Sequence, residues 1–132
     1  MSEGAKVWLV PDGFIPVGST GAQESHEAIC VLNTSTEQAQ LSISFYFEDR
    51  GPIKDVLVIV PPERTMHIRT DKLDGVEVPR GVPYAVRVES SVPVTVQCSR
   101  MDTTQPALSL MTAMAHPVER RAQSRAYGRL DP

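Results

Sequence analysis

The sequence predicts an all-β protein, a single antiparallel β-sandwich or jelly roll. Three observations carry that prediction. Apolar and polar residues alternate with period two over several short runs, the spacing of strands with one buried face. Gly, Pro, Asn and Asp cluster between those runs as turn residues. No long stretch repeats apolar residues at the i, i+3, i+4 spacing of an amphipathic helix.

At 132 residues, 41% of them apolar, the chain can bury a real core as one domain. The expected division is a β-domain over 1–116 and a flexible arginine-containing tail over 117–132, with Arg120, Arg121, Arg125 and Arg129. A formal charge of −3 argues against nucleic acid as partner, since displacing counterions from phosphates needs a basic surface. The start, Met1 to Lys6, has no cationic segment leading into an apolar one, and no window reaches the roughly 18–20 apolar residues of a membrane span. A cytoplasmic protein is expected. Cys30 and Cys98 are then two reduced, buried thiols, with a disulfide as the alternative.

Lys6–Val10 reads as a short strand closed by a turn at Pro11-Asp12-Gly13. Trp8 is either core or the flat wall of a binding site. Residues 11–26 form a long loop: a lid, a contact surface or simply a mobile connection. Ser25-His26-Glu27 opens the next strand, where Glu27, Ile29, Val31 and Asn33 share one face and Ala28, Cys30 and Leu32 the other. Adjacent residues cannot act as a proton-relaying triad, so the Ser-His-Glu run does not imply a hydrolase. Gln40–Glu48 alternates most cleanly, and Asp49–Pro52 turns the chain into a strand ending at Val60. That strand is apolar on both faces, so it is either central in the sheet or buried in a subunit contact.

Pro61 and Pro62 stop it, since neither can donate to a ladder. In the following run Met66 and Ile68 face one way and Thr65, His67 and Arg69 the other, with Arg64 just before. The imidazole between a hydroxyl and a guanidinium is either a site or an ordinary solvated face. Residues 71–82 are loop. Tyr84–Glu89 and Val92–Arg100 read as a hairpin-like pair, the latter with Val94, Val96 and Cys98 inward, and 108–115 fits helix or strand equally.

Four spaced segments resemble the sensory rhodopsin transducer family. They are Gly13-Phe14-Ile15-Pro16; Ser25-His26-Glu27 with Cys30 and Leu32-Asn33; Pro61 with Arg64-Thr65, His67 and Arg69; and Ser90, Val92-Pro93, Val96-Gln97, Arg100, Asp102 and Gln105. The likeness runs from about Val7 to Ala115. It implies a β-sandwich that forms a homotetramer, has no catalytic step and needs no cofactor. It also implies a wider kinship with domains that bind small molecules such as sugars. The family's polar motif positions fall on Ser25, His26, Glu27, Asn33, Arg64, His67, Arg69, Gln97, Arg100 and Asp102. The sequence departs from the family's namesake at Cys98, where the namesake has histidine, and in its longer tail.

Three functions compete. A binding module would converge those polar groups in an apolar hollow, Arg64, Arg69 and Arg100 meeting a carboxylate, phosphate or polyol and Trp8 stacking on a sugar ring. The expected ligand is a small polar molecule such as a sugar or sugar acid. The plain alternative is that Arg100 and Asp102 merely pair at a strand end. A protein-interaction transducer would instead dock on a sensory rhodopsin or another membrane receptor. An enzyme is not expected: His26, His67 and His116 lie far apart, and His67-Ile68-Arg69 stands where a jelly-roll metalloenzyme carries His-x-His, so neither catalytic nor metal-binding residues are assigned.

Overall fold

In the computed structural model, which describes residues 3–118, eight strands follow one another. They are β1 (Ala5–Phe14), β2 (His26–Asn33), β3 (Ala39–Phe47), β4 (Ile53–Val60), β5 (Arg64–Arg69), β6 (Pro83–Asp102), β7 (Ser109–Met114) and β8 (His116–Val118). All ladders are antiparallel, and among the described residues there is no helix. The all-β sandwich expectation holds.

The 20-residue β6 organises the sandwich. Its first half lies between β1 and β3 in a sheet ordered β4-β3-β6-β1-β8. Its second half lies between β2 and β7, with β5 beyond β2, in the other sheet. The expected hairpin over 84–100 is therefore one strand passing between two sheets. The physical reason is visible in its phase: Tyr84, Val86, Val88, Ser90, Val94 and Val96 are all buried even-numbered residues. The tight two-residue hairpin turns need positive φ, and no residue of Ser90-Ser91-Val92-Pro93 adopts it. Ser91 secures the crossover by accepting the Gln40 amide at 2.9 Å.

The core between the sheets joins Trp8, Ile29, Val31, Leu41, Ile43, Phe45, Val60, Ile68 and the inward valines of β6. Burying a side chain of this size contributes roughly 1.5–3 kcal/mol, which makes this core the main stabilising term.

Several boundaries differ from the sequence reading. β1 runs through Pro11-Asp12-Gly13 as a register irregularity between Val10 and Gly13 instead of turning there. Proline is tolerated at such a bulge because no ladder bond is required of it. The connection is consequently shorter than 11–26. It is also clamped: Gly81 N–H donates to the Ile15 carbonyl (2.8 Å), Thr20 N–H to Thr103 (2.6 Å), and Arg80 Nη1 to Ser25 (2.7 Å). β4 is an edge strand rather than a central one, with Leu57 67% exposed. Within 108–115, Ser109–Met114 forms a strand, β7. His116–Val118 pair with Val7–Leu9, so the first residues assigned to the tail belong to the sheet. The remainder of the expected tail, 119–132, lies outside the described residues. No helix among the described residues is long and apolar enough to cross a membrane.

Candidate functional site

The site is built around Glu27. Alternation along β2 puts this residue on the same inward face as Ile29, Val31 and Asn33, and it is 1% exposed. A carboxylate so placed must be fully partnered. The Phe14 amide donates to Oε1 at 3.0 Å, and the Tyr84 hydroxyl donates to the same oxygen. Arg100 Nε donates to Oε2. Tyr84, having given its proton to Glu27, receives the Thr70 hydroxyl at 3.0 Å, while the Thr70 amide donates to the Glu27 carbonyl at 3.1 Å. Phe14 of β1 and the two ends of β6, Tyr84 and Arg100, thus meet at one side chain of β2.

Beside Glu27 a cavity of about 240 Å³ opens between β1, β6 and β7. Glu27, Arg100 and Asp12 form its polar side; Val10, Pro11 and Met111 form the apolar one. Arg100 Nη2 lies 3.4 Å from the Asp12 carbonyl and 3.8 Å from its carboxylate. Among the described residues no protein group accepts a hydrogen bond from Arg100 Nη1, which leaves guanidinium donors available at the cavity.

The electrostatics follow from this burial. Burial works against the Arg100 charge, yet Glu27 outweighs it and holds the guanidinium more firmly protonated than usual. Tyr84 is pushed well above the ordinary phenol range, first by burial and then by the Glu27 charge. Cys98, also on the cavity wall, is pushed up to about 11 by burial and by Glu27, so it presents a neutral thiol.

The profile of the Anabaena sensory rhodopsin transducer family matches residues 3–117. The chain belongs to that family. It is 40% identical to the protein in the crystal structure of Thermotoga maritima 1070, with a TM-score of 0.81 over 89% of this chain and 98% of that one. It is 34% identical to the Anabaena sensory rhodopsin transducer, with a TM-score of 0.70 over 77% of this chain and 92% of that one. No curated protein matches it. The family resemblance read from the sequence stands.

The family's polar positions do not gather at one place in this member. Glu27 and Arg100 border the cavity, and the bland pairing of Arg100 with Asp102 does not occur. Asp102 instead accepts from the Thr104 amide (2.9 Å) and hydroxyl (2.6 Å), capping a turn, and these bonds hold its carboxyl below the usual range. Trp8 is core: it is 5% exposed and its indole N–H reaches the Ala5 and Val94 carbonyls, each at 3.0 Å. Asn33 binds the carbonyls of Glu37, Val60 and Pro61 and so fixes a turn. Ser25 receives the Thr103 amide at 2.9 Å, inside the fold. His26 contacts the Glu24 carbonyl at 2.8 Å at the edge. Arg64 bonds only its neighbours' carbonyls at the surface. Arg69 is engaged by Asp71 and Glu24. His67 and Gln97 lie on the outer face of the β5-β2-β6-β7 sheet, away from the cavity.

Sequence reasoning missed Asp12, Thr70, Tyr84 and Met111. Tyr84 was visible as the first member of the inward series of β6, where a hydroxyl needs a partner. Gly13 was a second signal: a Cβ there would stand 2.8 Å from the Tyr84 ring, so the bare backbone lets that ring reach Glu27.

Proposed function

We propose that the chain is a non-enzymatic, cytoplasmic binding module that holds a small, neutral polar molecule, a sugar or related polyol, in the Glu27–Arg100 cavity. The observation that carries this reading is a buried ion pair presenting spare guanidinium donors beside an apolar wall. The charge count favours a neutral ligand over the sugar acid. Arg100 already faces two carboxylates, Glu27 and Asp12, leaving no surplus positive charge for an anion. Ring hydroxyls would take the free donors and aliphatic C–H faces would lie on Pro11 and Met111.

The test is a thermal-shift screen of neutral sugars, polyols and sugar acids, because a ligand of the folded state raises the melting temperature. A neutral hit should lose its effect in Met111→Trp, which fills the cavity from an exposed position, and keep it in His67→Ala and Arg69→Ala. If Met111→Trp responds like the wild type, the cavity is not the site.

The second reading is a protein-interaction role. β7 supports it: every one of its residues is exposed, and Leu110 (72%), Met111 (54%) and Met114 (60%) stand on an uncharged sheet edge. An edge of that kind is a template for strand addition. We assign it first to a second copy of the chain, as a homotetramer requires. Membership in the family of the Anabaena sensory rhodopsin transducer supports a rhodopsin or another membrane receptor as the further partner.

A further inference from the structure

A second hollow, of about 220 Å³, lies at the end of the first sheet, where β3 stops at Phe47 and β6 starts at Pro83. Three strands wall it. Pro11 comes from the irregular stretch of β1, Tyr46 and Phe47 from β3, and Pro83 and Tyr84 from β6. Tyr46 stands 38% exposed, whereas Tyr84 is buried with its hydroxyl spent on Glu27. Glu48 is the one charged side chain in the lining, and it is exposed. Among the described residues no cationic group pairs with it, while the adjacent Asp49 takes Arg50 at 3.0 Å. Arg50 also shows what an aromatic face does here: its guanidinium carbon lies 5.6 Å from the centroid of the Phe47 ring. That is within the roughly 6 Å over which a ring quadrupole attracts a cation.

An aromatic face and an unpaired carboxylate in one hollow both favour positive charge. Which cation fits is decided by hydrogen bonding. A primary ammonium carries three N–H donors and a guanidinium five, and each needs an acceptor once water is displaced. Among the lining side chains only Glu48 and the Tyr46 hydroxyl can accept freely, since the prolines and Phe47 have no acceptor and Tyr84 is engaged. A quaternary ammonium has no N–H to satisfy. Its charge is spread over methyl groups that can lie on the rings and on Pro11 and Pro83.

We propose that this cleft binds a quaternary ammonium group, with Tyr46 supplying the ring face and Glu48 the counter-charge. The group is carried either by a free small molecule of the choline type or by a trimethylated lysine of a polypeptide. The site shares only Pro11 with the Glu27–Arg100 cavity and does not depend on that cavity's ligand.

The experiment is a titration of the full chain with choline, followed by amide chemical shifts in two-dimensional NMR spectra. Saturable shifts should centre on Tyr46, Phe47, Glu48 and Ala85. Tyr46→Leu and Glu48→Gln should each weaken binding about threefold or more. Both positions are exposed, so the fold is retained, as the dispersion of the same spectra would verify. The neutral isostere 3,3-dimethylbutan-1-ol should bind at least about threefold more weakly than choline, because it has the shape without the charge. A capped trimethyllysine peptide should shift the same amides, and its affinity relative to choline tells the polypeptide source from the free one. Equal response to choline and its isostere, shifts centred on Glu27 and Cys98, or binding unchanged in both variants would each overturn the site. Absence of any saturable shift at millimolar choline would do so as well.

Discussion

Glu27 occupies the inward face of β2 beside Ile29 and Val31, and its tolerance there depends on its partners. Removing one member of a buried ion pair costs about 3–5 kcal/mol, because the other is left desolvated and unpaired. Arg100 retains some exposure, so Glu27→Ala should fall toward the lower end, about 3 kcal/mol, by chemical denaturation. Tyr84→Phe removes one hydroxyl from the same network and should cost about 1–2 kcal/mol. A loss under about 1 kcal/mol for Glu27→Ala would show that the network does not hold this end of the sandwich. At this scale the sequence was readable where a charge interrupts an inward series, as at Glu27 and Arg100. It was unreadable where a polar side chain serves backbone carbonyls. Asn33 and Trp8 look like binding residues by type, yet their donors are spent on the carbonyls of distant turns and strands. Residue type does not reveal which carbonyls will be near.

Strands were legible wherever alternation was clean, as in β3, and their ends were not. β6 keeps one phase for its whole length, a signal that a hairpin would have broken, but local turn statistics around Ser90-Ser91 and Pro93 drew attention away from it. β4, apolar on both faces, read as either central or buried in a subunit contact, whereas its place at the edge depends on which strands pair, and pairing is set by the whole chain. β7 defied periodicity for a related reason. It is short and uncharged, and in the single chain neither face is covered. Edge strands in monomeric proteins commonly carry lysine or proline as protection. The proposed homotetramer predicts that introducing one by Leu110→Lys yields smaller species by light scattering, with the fold unchanged by circular dichroism. Equal masses for variant and wild type would remove β7 from the interface.

Across the whole molecule, the 15–25 and 70–82 connections are joined by an ion cluster. Asp71 receives Arg69 at 2.7 and 3.0 Å and Arg80 at 3.1 Å, while Glu24 lies 3.2 Å from Arg69 and 3.5 Å from Lys72. Burial tends to raise the Asp71 carboxyl, but the Arg69 hydrogen bonds and charge, helped by Arg80, hold it below the ordinary carboxylate range. A carboxyl depressed in the folded state stabilises fully above its unfolded pKa of about 3.9 and loses that contribution as pH falls through its lower folded value. The denaturation midpoint of the wild type should exceed that of Asp71→Asn by a constant margin from pH 7 to about 5, and the margin should close on acidification below about pH 4. A margin that does not shrink on acidification, or is missing at neutrality, would contradict this role.

A long strand belonging to both sheets also dictates when the chain can fold during synthesis. β1, β2 and β3 all take residues 83–102 as a neighbour, so none of them has its full ladder until the ribosome has delivered that segment. At roughly 5–20 residues per second, translating those 20 residues occupies on the order of one to four seconds. Through that interval β1, β2 and β3 each present an edge that awaits β6, open to mispairing with another chain.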